Sequence, residues 1–109
     1  MISKTVIKTI RESGWLKEDA IYQYGFTKAT PVHKVYETIL MNVSINFGIN
    51  WKIILKAKRV SAPAYKAKII ALVLIDKALN NIKNMDRSDV DVIIGRENAI
   101  LVNDFYLSY

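Results

Sequence analysis

Cysteine is absent from this chain, which excludes disulfides and thiolate metal sites. Histidine occurs once, at His33, so a metal site would need carboxylates, and these lie scattered along the sequence. The four glycines, Gly14, Gly25, Gly48 and Gly95, are isolated from one another and form no phosphate-cradling loop. No serine sits in a nucleophile elbow, and His33 falls near a helix start, where it reads as a surface residue. With neither an acid–base pair nor a nucleophile in view, the expectation is a non-enzyme with no cofactor and no metal. Long apolar runs are missing too. The longest, residues 69–75, falls far short of the roughly 20 residues a membrane span needs. The start, Met1-Ile-Ser-Lys, has no continuous apolar stretch of the signal-peptide kind. These absences point to a cytoplasmic protein, or one of the host cytoplasm if virus-encoded, with no membrane partner.

Negative charge is missing from one segment. No acidic residue occurs between Glu37 and Asp76, while Lys52, Lys56, Lys58, Arg59, Lys66 and Lys68 all fall there. The rest of the chain balances ten basic against ten acidic residues, so the net charge of +6 resides in that segment. A neutral domain with a local cationic patch favours a polyanionic partner, although a solvated lysine face is the plainer alternative. Much of the acid-free stretch is apolar and would lack acids in any buried helix. The unusual part is therefore narrower: cations crowd residues 52–59 and the start of the helix that follows.

At 109 residues and 51% hydrophobic, the chain supports one core and argues against disorder. Abundant Ile, Lys and Asn hint at an AT-rich genome: a phage, an archaeal virus or a low-GC bacterium. Ile2, Val6, Ile7 and Ile10 recur at helical spacing up to Ser13-Gly14, and Trp15, Leu16, Ala20 and Ile21 suggest a second short turn. Residues 22–26 read as loop. Thr30 as N-cap with Pro31 at the first helical position opens the clearest amphipathic helix. Its stripe is Val32, Val35, Tyr36, Ile39, Leu40, Val43 and Phe47, and Gly48 stops it. Ile49, Ile53, Ile54 and Leu55 predict a short buried helix closed by the cationic run. Ser61-Ala62-Pro63 starts a long helix over 63–82, apolar nearly all round and so expected at the centre. Lys66 and Lys68 in its first turns oppose the helix dipole, which suggests a use outside the fold.

The C-terminal third is ambiguous. Ser88 can cap a short helix with Asp91 in capping-box position, and Gly95 can end it before a second apolar segment, 99–106. Equally, residues 90–102 could form a β-hairpin around Gly95. The favoured fold class is all-α, a small helical bundle with a C-terminal helix-turn-helix-like pair; the alternative is α+β with a hairpin at 90–102. One domain is expected, residues 1–30 being an N-terminal extension packed on a helical core of 31–109. Asp86, Asp89 and Asp91 read as helix-start carboxylates rather than a cation site. Two helices meeting at Gly95 have the layout that places a second helix in the major groove of DNA. Arg96 and Asn98 would then reach bases, Arg suiting guanine and Asn adenine.

Several of these residues resemble a known pattern. Ile39, Val43, Phe47 and Ile49, then Leu55 with Lys58-Arg59, then Lys68 before the run Ile69-Ile-Ala-Leu-Val-Leu74, and last Gly95-Arg-Glu-Asn-Ala-Ile-Leu101 follow one another in a telling order. That order resembles the C-terminal DNA-binding domain of the bacterial replication initiator DnaA, over residues 39–105. The family's recognition signature runs Gly-Arg-Asp-His-Thr-Thr-Val; here Asn98 stands for the histidine, and Ala99 and Ile100 for the threonines. The segment 88–96 is also about three residues shorter than usual. The resemblance implies that Arg59, with Lys58 and Lys68, touches phosphate or minor groove. It also implies that Arg96, Glu97 and Asn98 lie where bases are read.

The expectation is thus a small regulatory DNA-binding protein, viral or phage-encoded. Lys52, Lys56, Lys58, Arg59, Lys66 and Lys68 would contact phosphates, and Arg96 and Asn98 bases, of double-stranded DNA. A second expectation is an interaction protein that grips a host factor, or a second copy of itself, through Trp15, Tyr22, Tyr24 and Phe26.

Overall fold

The computed structural model describes residues 2–59 and 62–108, and among them every regular element is helical. In chain order these are α1 (Lys4–Ser13), a 3₁₀ turn (Ala20–Tyr24), α2 (Val32–Phe47), α3 (Trp51–Lys56), α4 (Ala62–Asn81), α5 (Arg87–Ile94) and α6 (Arg96–Ser108). The apolar run 69–75 forms the middle of α4, and each of its side chains is buried. A helix that is apolar all round has no face for water, so the other elements must surround it. They do: α1, the 3₁₀ turn, α2, α3, α5 and α6 all pack on α4. Each fully buried Ile or Leu contributes about 1.5–3 kcal/mol, so α4 is the largest single source of core stability.

The α2 stripe holds as read, with Val35, Ile39, Leu40 and Val43 buried against α4. Gly48 ends it at φ 65°, its N–H reaching the carbonyls of Ser44 and Ile45. In α1, Ile7 and Ile10 are buried, and the helix packs on both α4 and α6, so the N-terminal segment closes against the C-terminal one.

Several local expectations give way. The α5–α6 region is helical, and the β-hairpin alternative at 90–102 is overturned. Val90 and Ile94 in α5 are four residues apart, Val102 and Phe105 in α6 are three apart, and each pair buries one side of its helix, which outweighs the β propensity of the segment. Ser88 does not cap α5. Asp86 holds the cap position without a side-chain bond, and Asp91 instead accepts from Arg87 Nε at 3.0 Å. Thr30 does not cap α2 either: Thr30 Oγ1 accepts from the Thr27 N–H at 2.9 Å, and Pro31 is the cap. Residues 20–24 form the 3₁₀ turn where loop was expected from 22. In α3 only Ile54 is buried, and Ile53 is 56% exposed. Six residues make too short a helix to wrap two faces onto a core. The Ser61 start signal lies outside the described residues. No helix among the described residues is long and apolar enough to cross a membrane.

Candidate nucleic-acid interface

The cationic segment folds into a corner. Asn50 caps α3 by accepting from the Lys52 N–H at 2.9 Å, which fixes the start of the short helix. Lys52 and Lys56 are four residues apart and therefore share a face of α3, both exposed. The Lys52 ammonium lies 5.6 Å from the Trp51 ring centre. After α3 the backbone turns extended at Ala57, and Lys58 and Arg59 are exposed on the corner. Arg59 borders a shallow hollow with Ile2, Ser3, Val6 and Tyr65.

Lys68 is placed differently from its neighbours. Half-buried on α4, its ammonium donates to the Ala57 carbonyl at 3.2 Å and so ties the corner to the central helix. Burial lowers its pKa; the nearby Glu97 carboxylate opposes that shift and Lys58 reinforces it. Lys58 and the Glu97 carboxylate in the first turn of α6 thus both act on the Lys68 ammonium. Lys66 precedes Lys68 by two positions and so faces another way around α4, half-buried. The bond to the Ala57 carbonyl therefore brings Lys68 to the corner, but not Lys66.

Gly95 alone joins α5 to α6. Its φ of 92° with ψ of 146° is backbone that side-chain-bearing residues avoid, and both helices bond onto it. The Gly95 N–H donates to Asp91 O at 3.0 Å, and its carbonyl accepts from the Ala99 N–H at 2.8 Å. Arg96 is exposed at the first turn of α6. It borders a groove with Ser88, Asp91, Val92, Ala99, Ile100 and Asn103. Asn98 turns inward: Asn98 Nδ2 donates to Ile94 O at 2.8 Å, holding the end of α5 rather than facing solvent.

One constellation has no counterpart in the sequence reading. Asp76 is buried in α4, and with Ser44 makes up the buried polar side chains among the described residues. Arg87 Nη2 donates to Asp76 Oδ1, and Tyr106 Oη donates to Asp76 Oδ2 at 3.0 Å. Arg87 Nη2 also lies 3.0 Å from Asp91 Oδ1. A single carboxylate thus binds α4, α5 and α6 together. Burial, with the Asp76 charge adding to it, raises the Tyr106 pKa well above the usual tyrosine value. The signal available in sequence was Asp76 itself, an acid set in the midst of the most apolar helix.

The N-terminal aromatics are mostly occupied. Trp15 packs on Phe47 with ring centres 5.7 Å apart, Tyr24 stacks on Phe26 at 5.3 Å, and Tyr24 Oη donates to Asn42 Oδ1. Tyr22 is 61% exposed. His33 is exposed on α2, and no group of three or more His, Asp or Glu residues among those described could hold a metal ion. Against known proteins, no family model, no curated protein and no solved structure matches this chain.

Proposed function

We propose that the chain is a small regulatory protein that binds double-stranded DNA, with the α3–α4 corner on phosphates and α6 presented to the major groove. One observation carries this reading: Lys52, Lys56, Lys58 and Arg59 are all exposed on and just after α3, and the Lys68 bond to the Ala57 carbonyl fixes that corner against α4. A DNA-binding domain needs such a fixed cationic corner, since phosphate contacts set the register in which base contacts are made. Lys52, Lys56, Lys58 and Arg59 supply the phosphate-facing charge, and Arg96 opens the base-facing helix. Lys68 serves the reading by positioning the corner.

One further feature supports it. The order of α2, α3, basic corner, α4 and the α5–α6 pair is the order that the DnaA-like resemblance calls for. The rival reading, a protein partner held by the N-terminal aromatics, has less to work with, because Trp15, Tyr24 and Phe26 pack against the body of the protein.

Fluorescence anisotropy with random duplex DNA, single strand and RNA at two salt concentrations tests the proposal. Neutralising roughly four or five phosphates should give log K against log[salt] a slope of about −4 for duplex DNA. No binding at low salt, or a slope near zero, overturns the reading.

A further inference from the structure

The surface of α5 and α6 combines exposed apolar side chains with negative charge. Residues 86–104 carry five acids against Arg87 and Arg96, in a chain whose net charge is +6. Arg87 is engaged, since it holds both Asp76 and Asp91. At 3.6 residues per turn, Asp89 and Val92 lie on the side of α5 away from buried Val90 and Ile94. Ile100, Asp104 and Leu107 likewise lie on the side of α6 away from buried Val102 and Phe105. Val92 is 82%, Ile100 58% and Leu107 79% exposed. Val92, Ile100 and Asp91 line one groove between the two helices. An exposed apolar patch among charges marks an interaction site, and the sign of those charges calls for a cationic partner.

We propose that the occupant is a second copy of this chain, which seats the outward side of its α3 on the α5–α6 groove. That side of α3 is the counterpart in both respects. Lys52, Ile53 and Lys56 fall within about 100° of one another, away from buried Ile54. Ile53 is 56% exposed, and Lys58 and Arg59 are exposed just beyond the helix. No acid occurs between Glu37 and Asp76, so α3 has no carboxylate of its own to repel the acidic groove. In the contact Ile53 packs on Val92 and Ile100, while Lys52 and Lys56 face the acids around them. Met41 and Ile45 on α2 are exposed too, but residues 38–51 carry no charge to select a partner. The two surfaces differ, so one copy's α3 faces another's groove, either in a chain of copies or reciprocally across a two-fold axis. Assembly of this kind does not depend on DNA binding and would exclude it, because both use Lys52, Lys56 and the outward side of α6.

Sedimentation of the whole protein, without DNA, tests the proposal. At low salt the sedimentation coefficient should rise with concentration. At about 1 M salt, where charges act only within roughly 3 Å, it should fall back toward the monomer value. Lys52→Glu with Lys56→Glu sets acids against acids, and Asp89→Lys with Asn103→Lys sets cations against cations. Either double variant alone should self-associate about tenfold more weakly or worse. Mixed in equal amounts, the two should assemble again, because each finds its complement in the other. Ile100→Ser should weaken the parent's assembly without changing its charge. All these positions are exposed, so circular dichroism should show parent-like helix content and melting for every variant. A monomer at low salt at every concentration reached overturns the proposal. So does assembly that each double variant keeps on its own, or that the mixture fails to restore. Assembly abolished by Ile45→Arg but untouched by Ile100→Ser would place the interface on α2 and overturns it as well.

Discussion

Tyr106 Oη donates to Asp76 Oδ2 at 3.0 Å, joining the last turns of α6 to the buried middle of α4. Arg87 holds the other oxygen of the same carboxylate from α5. The placement of the proposed base-reading helix therefore depends on one buried charge. Arg87→Ala strands that charge and should cost about 2–3 kcal/mol; Tyr106→Phe should cost about 2 kcal/mol. Asp76→Leu should cost less than Arg87→Ala, because Arg87 is half exposed and can return to water. Urea denaturation of the three variants checks the ranking; Asp76→Leu as the most damaging change would refute the clamp.

Alkaline pH should loosen the same clamp. The folded protein raises the Tyr106 pKa, so below the usual tyrosine value of about 10 the stabilisation is complete. Above it the unfolded chain loses the proton first, and stability declines until the folded pKa is passed. Tyr24 and Tyr36, raised by burial, add to the decline, while the lowered pKa of Lys68 acts in the opposite sense. Tyr106→Phe should flatten the loss of stability above pH 10 by up to about 1.4 kcal/mol per pH unit. Melting curves from about pH 8.5 to 11.5 measure it, and parallel curves would count against the assignment.

Lys58 and Lys68 should separate cleanly. Lys68→Ala removes the bond to the Ala57 carbonyl and should lower stability by about 1–2 kcal/mol. Lys58→Ala should leave the melting midpoint in place and reduce the magnitude of the DNA salt slope by about 0.9. The reverse pattern, with Lys58 stabilising and Lys68 setting the salt slope, would exchange their assigned roles.

Gly95→Ala should cost about 1–3 kcal/mol through backbone strain alone. Space is not the obstacle, since an added Cβ would meet Asn98 Nδ2 at an ordinary 3.9 Å. A neutral result in chemical denaturation would mean that the α5–α6 joint tolerates another conformation.

Adjacent isoleucines in α3 should differ sharply. Ile54 is fully buried, and Ile54→Ala should cost about 2–5 kcal/mol. Ile53 is more than half exposed, and Ile53→Ala should change stability by less than about 0.5 kcal/mol. Similar losses at both positions, read by denaturant midpoint, would place Ile53 against the core.

Much of the architecture was readable along the chain, because helical periodicity and chain breakers are local properties. The α2 stripe, the all-round apolar α4 and the stops at Gly14, Gly48 and Gly95 follow from side-chain spacing and φ preference alone. Caps were less legible. Thr30 and Ser88 have the right chemistry for capping, but Thr30 bonds back to Thr27, and Asp91 has a stronger partner in Arg87.

Residue order alone specifies a helical chain with a central apolar helix and cations gathered beside it. Which of those side chains remain available is a consequence of how the helices dock. Docking ties Lys68 to Ala57, and it buries Val102 and Phe105, which leaves the side of α6 that carries Arg96, Ile100 and Asn103 facing outward. It also joins Asp76, Arg87 and Tyr106 from three helices. The reason is distance along the chain: hydrogen bonds that span 11 or 30 residues form only once the helices are in place, and no local pattern encodes that.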